Sequence, residues 1–190
     1  MPPEPAAASS VPAWVLLDTA ARIGRRANAT TARALTSAGD PIEVSFELAD
    51  PPGLSRCLVH CPDLTPDSNE IPFPCVITGA DGAFLLINVI LPERDGGGCL
   101  AWTFTDVFVY RAGPGAPSLD LLPRPYPVGL LDTHVGVLSS DDLCLVVVPE
   151  RQLEAGNRMG YDLHVFSTET QSWSTKAATV AGGLAWYCVL

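Results

Sequence analysis

The chain has 190 residues, 47% hydrophobic and 17% charged, so it is apolar enough to fold around a core rather than stay disordered. Its 18 prolines and 16 glycines exclude a helical bundle, because a proline inside a helix costs about 3 kcal/mol. The net charge of -10 excludes the basic surface that nucleic-acid binding needs. No apolar run approaches the roughly 20 residues of a membrane-spanning helix. We therefore predict a β-rich protein that binds neither nucleic acid nor membranes.

The first forty residues differ in composition from the rest of the chain. Residues 1–12 are rich in Pro and Ala, and we predict a flexible leader before a single β-rich domain at residues 13–190. Residues 19–39 contain four arginines and no acid, a composition that organelle transit peptides share. Because the strand-like residues 14–18 precede this stretch, we favour a short surface helix or loop instead. The chain lacks a secretory signal, so a cytoplasmic or nuclear location with reduced cysteines is expected.

From residue 42 onward, apolar and polar residues alternate in the way that is typical of half-buried β-strands. Ile42, Val44 and Phe46 alternate with Glu43, Ser45 and Glu47, and a Pro/Gly turn ends this strand at residues 50–53. Further short strands are predicted at residues 56–61, 75–78, 83–91, 102–111, 118–122, 134–138, 143–148, 161–166, 172–177 and 184–190. This spacing of short strands predicts a sandwich, a barrel or a propeller.

An internal repeat favours the propeller. The triplet Pro92-Glu93-Arg94 recurs as Pro149-Glu150-Arg151, residues 106–110 recur as residues 162–166, and Ser118 recurs as Ser172, all in the same order. Four antiparallel strands in roughly 50 residues are the unit of a propeller blade. We therefore predict an all-β, incomplete β-propeller-like array of four-stranded antiparallel units. The units lie at about residues 75–125 and 134–179, and a further unit begins at residues 182–190.

Several sequence blocks, which keep their order along the chain, resemble the plant family called domain of unknown function 1618. They are residues 14–18, 21–25, 28–31, 43–48 with 50–55, 106–110 with 111–115, and 165–175. The resemblance spans roughly residues 13–190. It implies no catalytic or cofactor-binding residues, because that family offers no established activity to transfer. Members usually continue beyond the block at Ala185 and Trp186, so the resemblance implies a short or C-terminally truncated member.

Possible ligands and nucleophiles in the sequence do not converge on a site. Cys57, His60 and Cys61 are closely spaced, but on a strand His60 points away from the face that the two cysteines share, so we predict buried thiols and no metal. A cysteine nucleophile would need His134 or His164 as its base. We expect His134 to be solvated, and His164 to be an ordinary strand residue at the repeat position of Phe108.

No nucleotide-binding, hydrolase or zinc-protease motif is present in the sequence, and the acidic residues Asp81, Asp141 and Asp142 are expected in hairpin turns. We therefore expect a non-catalytic protein-interaction scaffold, without a cofactor and with an unidentified protein partner. The alternatives are an enzyme or small-ligand binder that uses a propeller pocket, and a truncated product without independent function. The apolar, uncharged residues 182–190 predict self-association through an edge strand. Trp173 is predicted to pack on the strand at residues 161–166.

Overall fold

The computed structural model describes residues 14–62, 75–92, 103–113, 115–127, 130, 135–154 and 158–179. In these ranges the chain forms β-strands and no helix, which confirms the predicted all-β class. The strands are β1 (Leu16–Leu17), β2 (Arg22–Ile23), β3 (Ala32–Leu35), β4 (Pro41–Glu47), β5 (Leu54–His60), β6 (Cys75–Asp81), β7 (Phe84–Pro92), β8 (Thr103–Arg111), β9 (Ser118–Leu121), β10 (Gly136–Ser140), β11 (Leu143–Glu154), β12 (Arg158–Ser167) and β13 (Ser172–Thr179). The predicted leader (residues 1–12), His134 and residues 182–190 lie outside the described residues.

The strands form three sheets, and each sheet packs on the next. Sheet 1 has the order β1-β5-β4-β3, with β2 also paired to β5; sheet 2 is β6-β7-β8-β9 and sheet 3 is β10-β11-β12-β13. Sheets 2 and 3 are four-stranded antiparallel meanders, and the arrangement is consistent with the propeller-like one predicted. None of the described residues belongs to a helix that could cross a membrane.

Residues 19–39, for which a surface helix or loop was predicted, contain β2 and β3, so the helix alternative is wrong. This part of the chain forms hydrogen bonds with both sheet 1 and sheet 2. Strands β1 and β2 run parallel to β5, and between them the Ala21 N–H donates to the Cys75 carbonyl of β6 at 3.1 Å. The Ile77 N–H donates in return to the Thr19 carbonyl at 2.8 Å. This joining segment, residues 16–24, therefore links the edges of sheets 1 and 2.

Sheet 2 is buried on both faces, which explains why its strands are apolar at successive positions rather than at alternate ones. One face packs on sheet 1 through Ile87, Val89, Phe108 and Tyr110. The opposite face packs on sheet 3 through Phe84, Leu86, Val107 and Val109. Sheet 2 is therefore the central layer of the described structure.

The strand registers show which parts of the sequence repeat are structurally equivalent. Tyr110 pairs with Leu119 in sheet 2, and Phe166 pairs with Trp173 at the same place in sheet 3. Both aromatic residues point toward the preceding sheet, Tyr110 onto sheet 1 and Phe166 onto sheet 2. Residues 106–110 and 162–166 are thus equivalent in the fold as well as in the sequence.

The repeated Pro-Glu-Arg triplet is not structurally equivalent. Pro92 pairs with Thr103, whereas Pro149 pairs with Leu163, whose counterpart in sheet 2 is Val107. Strand β11 also continues to Glu154 instead of ending at residue 148 as predicted. Pairing between β10 and β11 ends at Val147, so at Pro149 strand β11 has a partner strand on one side only. A proline, which has no N–H to donate, is tolerated at such a position.

Trp173 should be important for stability, because its ring lies against Phe166 with centroids 5.5 Å apart and its Nε1–H donates to the Pro123 carbonyl at 3.0 Å. We expect Trp173→Ala to lower the free energy of unfolding by about 2–4 kcal/mol, somewhat below a fully buried tryptophan because the ring is half-buried. The control Trp173→Phe, which keeps a ring on Phe166, should lose less. Urea unfolding measures both, and an unchanged midpoint for Trp173→Ala would contradict the packing role.

Candidate interaction surface

The outer face of sheet 3 is the face that points away from sheet 2. On β11 and β12, Cys144, Val146, Val148 and Phe166 pack on sheet 2, so the alternate residues point the other way. We define the outer face by six of the residues that point this way, namely Gly136, Leu138, Leu145, Val147, Leu163 and Val165. Register holds these residues together, since Leu138 pairs with Leu145 and Val147 pairs with Val165.

Four residues on the β11 and β12 part of this outer face have counterparts in sheet 2 that are buried against sheet 3. In sheet 2 Leu86 pairs with Val109, and at the same place in sheet 3 Val147 pairs with Val165. Counting along the strands from these two pairs matches four residues of sheet 3 with four residues of sheet 2. The matched pairs are Phe84 with Leu145, Leu86 with Val147, Val107 with Leu163, and Val109 with Val165. The sheet 2 members are at most 2% exposed, while their sheet 3 counterparts are only partly buried and the neighbouring Leu138 is 57% exposed. Sheet 3 therefore repeats the apolar face that sheet 2 uses to bind a further sheet.

The match between sheets 2 and 3 also includes a pair of glycines, Gly79 and Gly136. A Cβ at Gly79 would lie 2.5 Å from Cγ2 of Val137, because sheet 3 approaches β6 too closely for a side chain. Gly79 pairs with Leu86, and its counterpart Gly136 pairs with Val147. A Cβ at Gly136 would meet atoms of Val147 no nearer than 3.8 Å, all from its own sheet. Gly136 is thus equivalent to Gly79, the position at which sheet 3 packs closely on sheet 2, and it also lacks a side chain.

A polar contact fixes sheet 3 on sheet 2 beside Gly79. The Asp81 carboxylate accepts hydrogen bonds from the Ser139 N–H at 2.6 Å and from the Ser139 hydroxyl at 2.8 Å, and these bonds hold the pKa of Asp81 below its usual range. Gly82 and Asp141 adopt positive φ angles of 54° and 50° in the two hairpin turns predicted at Asp81 and Asp141. The sequence thus located both turns, although the bond from Asp81 to Ser139 is visible only in the structure.

The charges on the outer face of sheet 3 are divided between its two ends. Asp141 and Asp142 lie in the β10–β11 turn and Glu169 lies in the β12–β13 turn, so these acidic groups share one end of the strands. Asp142 pairs there with Arg111 of sheet 2, which leaves Asp141 and Glu169 to define the acidic end of the face. Arg151, paired with Tyr161, and Lys176, paired with Leu163, point outward toward the other end. Among the described residues, the face is therefore apolar at its centre, acidic at one end and basic at the other.

The outer face of sheet 1 is different, because it carries ion pairs. Glu43 accepts hydrogen bonds from Arg25 at 3.0 Å and from Arg33 at 2.9 Å, and Arg26 pairs with Glu47. The two guanidinium groups lower the pKa of Glu43 to about 2. This face carries ion pairs whose arginine side chains are exposed, unlike the apolar centre of the outer face of sheet 3.

The structure places the predicted cysteine candidates in the core. Cys57 and Cys61 are buried and His60 is half-buried on the other face of β5, as the strand geometry predicted. Cys75 joins them in the core between sheets 1 and 2, a proximity that its isolated sequence position did not reveal. No group of three potential metal ligands gathers in the described ranges.

The buried thiols are unsuited to nucleophilic chemistry. Burial raises the pKa of Cys57, raises that of Cys75 to about 12 and raises that of Cys144 to about 11. A thiol with such a pKa stays protonated at neutral pH, and the thiolate is the reactive form. The sequence hypothesis of a cysteine nucleophile paired with a histidine base therefore gains no support from these three residues.

His164 joins Glu150 and Thr175 in a chain of hydrogen bonds, here called the His164 relay, that the sequence did not predict. Its Nε2 lies 2.8 Å from a carboxylate oxygen of Glu150 and its Nδ1 lies 3.0 Å from the Thr175 hydroxyl. The order of acid, imidazole and hydroxyl is that of a hydrolase triad. However, Thr175 lies within the regular strand β13, without the strained turn that presents a hydrolase nucleophile. The relay was missed because Glu150 was assigned to a loop after residue 148.

Comparison with known proteins adds no relative on which to base a function. No model of a known protein family matches the chain, and a search of curated proteins finds no match. A search of solved structures also finds no match. The inference of function therefore rests on the surfaces described above.

The two equivalent glycines should respond differently to the same substitution. We expect Gly79→Ala to lower the free energy of unfolding by about 1–3 kcal/mol, because the new methyl group meets the stiff, β-branched Val137 at 2.5 Å. Gly136→Ala is the matched control and should change stability little, since its Cβ has room. Thermal and urea unfolding measure both variants, and equal losses would contradict the close approach of sheet 3 to β6.

The Glu43 ion pairs should make stability depend on acid pH. The folded-state pKa of about 2 lies below the usual value near 4.3, so the contribution is complete above the unfolded pKa and is lost as the pH falls toward 2. We expect Glu43→Gln to be less stable than the wild type at pH 7 by less than about 1 kcal/mol. The difference between the two proteins should shrink between pH 4.5 and pH 2, and a difference that stays constant over this range of urea unfolding experiments would refute the ion-pair role.

Proposed function

We propose that the protein is a non-catalytic interaction scaffold that binds a β-sheet of a protein partner on the outer face of sheet 3. The observation that carries this proposal is the match between four buried residues of sheet 2 and four partly exposed residues of sheet 3. Sheet 2 uses its set, Phe84, Leu86, Val107 and Val109, to hold a neighbouring sheet. An equivalent set on sheet 3 suits the same kind of contact.

The energetics of this surface also support binding. Complete burial of an aliphatic side chain such as Leu138 contributes about 1.5–3 kcal/mol, and several adjacent side chains provide an apolar centre. The described charged side chains lie around this centre, with Lys176 on the edge strand β13 beside Leu163. The net charge of -10 favours a protein partner over nucleic acid. Cys57, Cys75 and Cys144 are free and buried, which suits a reducing compartment such as the cytosol or nucleus.

We favour a scaffold over an enzyme because the described groups lack the features that catalysis needs. The buried thiols stay protonated, and the hydroxyl of the His164 relay belongs to a regular strand. The relay instead links three adjacent strands of sheet 3, because Glu150, His164 and Thr175 belong to β11, β12 and β13. A structural role in holding the binding sheet rigid accounts for it.

A photo-crosslinking experiment tests the proposed surface. The full chain, expressed in living cells, would carry benzoylphenylalanine at Leu138 or, as a matched control, at Leu35; these residues are 57% and 60% exposed and lie on sheets 3 and 1. We expect a discrete protein adduct from position 138 and none from position 35, because only position 138 belongs to the binding face. Equal adducts from both positions, or none from either, would count against the scaffold.

A further inference from the structure

We infer that the partner on the outer face of sheet 3 is a second copy of this chain, packed face to face about a two-fold axis. This inference rests on the proposed function and adds the identity and orientation of the partner. A two-fold axis makes each surface bind its own copy, so the face must be complementary to itself. Its centre and its two ends both meet this requirement.

The centre is self-complementary because it is apolar. Leu138, Leu145, Val147, Leu163 and Val165 of one copy can pack on the same residues of the other without moving any charge out of water. Two such sheets can pack about 10 Å apart with their strands nearly aligned, as in β-sandwiches. The absence of a side chain at Gly136 leaves room for close approach of the second copy.

The two ends are self-complementary because their charges are opposite. An axis that lies in the interface, perpendicular to the strands, places the top of one sheet over the bottom of the other. Asp141 and Glu169 of one copy then face Arg151 and Lys176 of its partner, and the reverse holds across the axis. These pairs lie at the rim, where they set orientation and association rate more than affinity.

The opposite surface of the molecule does not suit a head-to-tail contact. Docking sheet 3 on the outer face of sheet 1 would bury Glu43 with Arg25 and Arg33, together with the Arg26–Glu47 pair. Removing such ion pairs from water costs more than an apolar contact returns. A closed dimer is therefore favoured over an open chain of molecules, which a head-to-tail contact would produce.

The size of the face sets the expected strength of the dimer. Strands β10 to β13 have 5, 12, 10 and 8 residues. At about 3.3 Å per residue and about 4.8 Å between strands, they cover about 550 Å² per copy. The total of about 1,100 Å² is at the lower limit of specific interfaces. We therefore expect a reversible dimer with a dissociation constant in the micromolar range.

Analytical ultracentrifugation of the purified full chain between about 1 and 100 μM tests this inference. The wild type should shift from the 20.1 kDa chain mass toward twice that mass as concentration rises. Leu138→Glu should weaken dimerisation at least tenfold, whereas Leu35→Glu, equally exposed on sheet 1, should leave it unchanged. Lys176→Glu alone should also weaken it, and adding Glu169→Lys should restore it if the two ends face each other. Circular dichroism confirms that each variant is folded.

Three results would overturn the second-copy inference. They are a monomeric wild type at 100 μM, a dimer that Leu138→Glu leaves intact, and a dimer that is lost only when residues 182–190 are removed. The last result would assign association to that segment. A monomeric wild type whose position 138 still crosslinks to a different protein would reject the second copy and retain the scaffold. Absence of both the dimer and the adduct would reject both proposals.

Discussion

The burial of sheet 2 on both faces is the constraint on which the rest of the described structure depends. Strands β7 and β8 carry apolar side chains on both sides, so neither face can be left in water at low cost. Sheet 1 covers one side, where Phe46 lies 4.8 Å from the ring of Tyr110. Sheet 3 covers the other side, with Phe166 and Trp173 over the end of the interface. The order of the three layers follows from this requirement.

Hydrogen bonds between the sheets fix their relative alignment, which apolar packing alone does not specify. Asp106 in sheet 2 is fully buried, and its carboxylate accepts bonds from the Ser37 N–H at 2.7 Å and from Arg124 at 3.1 Å. The Tyr110 hydroxyl donates to the Thr30 carbonyl at 2.8 Å, which joins sheets 2 and 1 again. Because a buried polar group without a partner is costly, these bonds specify one alignment of the sheets.

The same layered packing supports the proposal that the molecule binds a partner through sheet 3. The described thiols pack in the two cores, and His164 connects Glu150 to Thr175 within sheet 3. Sheet 3 is a four-stranded layer with one face on sheet 2 and an opposite face that repeats four apolar residues of sheet 2. In the proposed scaffold, strand pairing has already ordered this face, which limits the entropic cost of association.

The sequence alone determined the features that depend on neighbouring residues. Alternation at residues 42–48, turn chemistry at Asp81 and Asp141, and the repeat of residues 106–110 each reflect local geometry, so they predicted β4, two hairpins and two equivalent sheets. The tertiary structure decided the joining segment, the contact of Gly79 with Val137 and the exposure of Leu138, since period two shows that a strand has two faces without showing what covers either. Which face stays exposed depends on contacts between residues that are far apart in the chain, and these form only when the sheets pack.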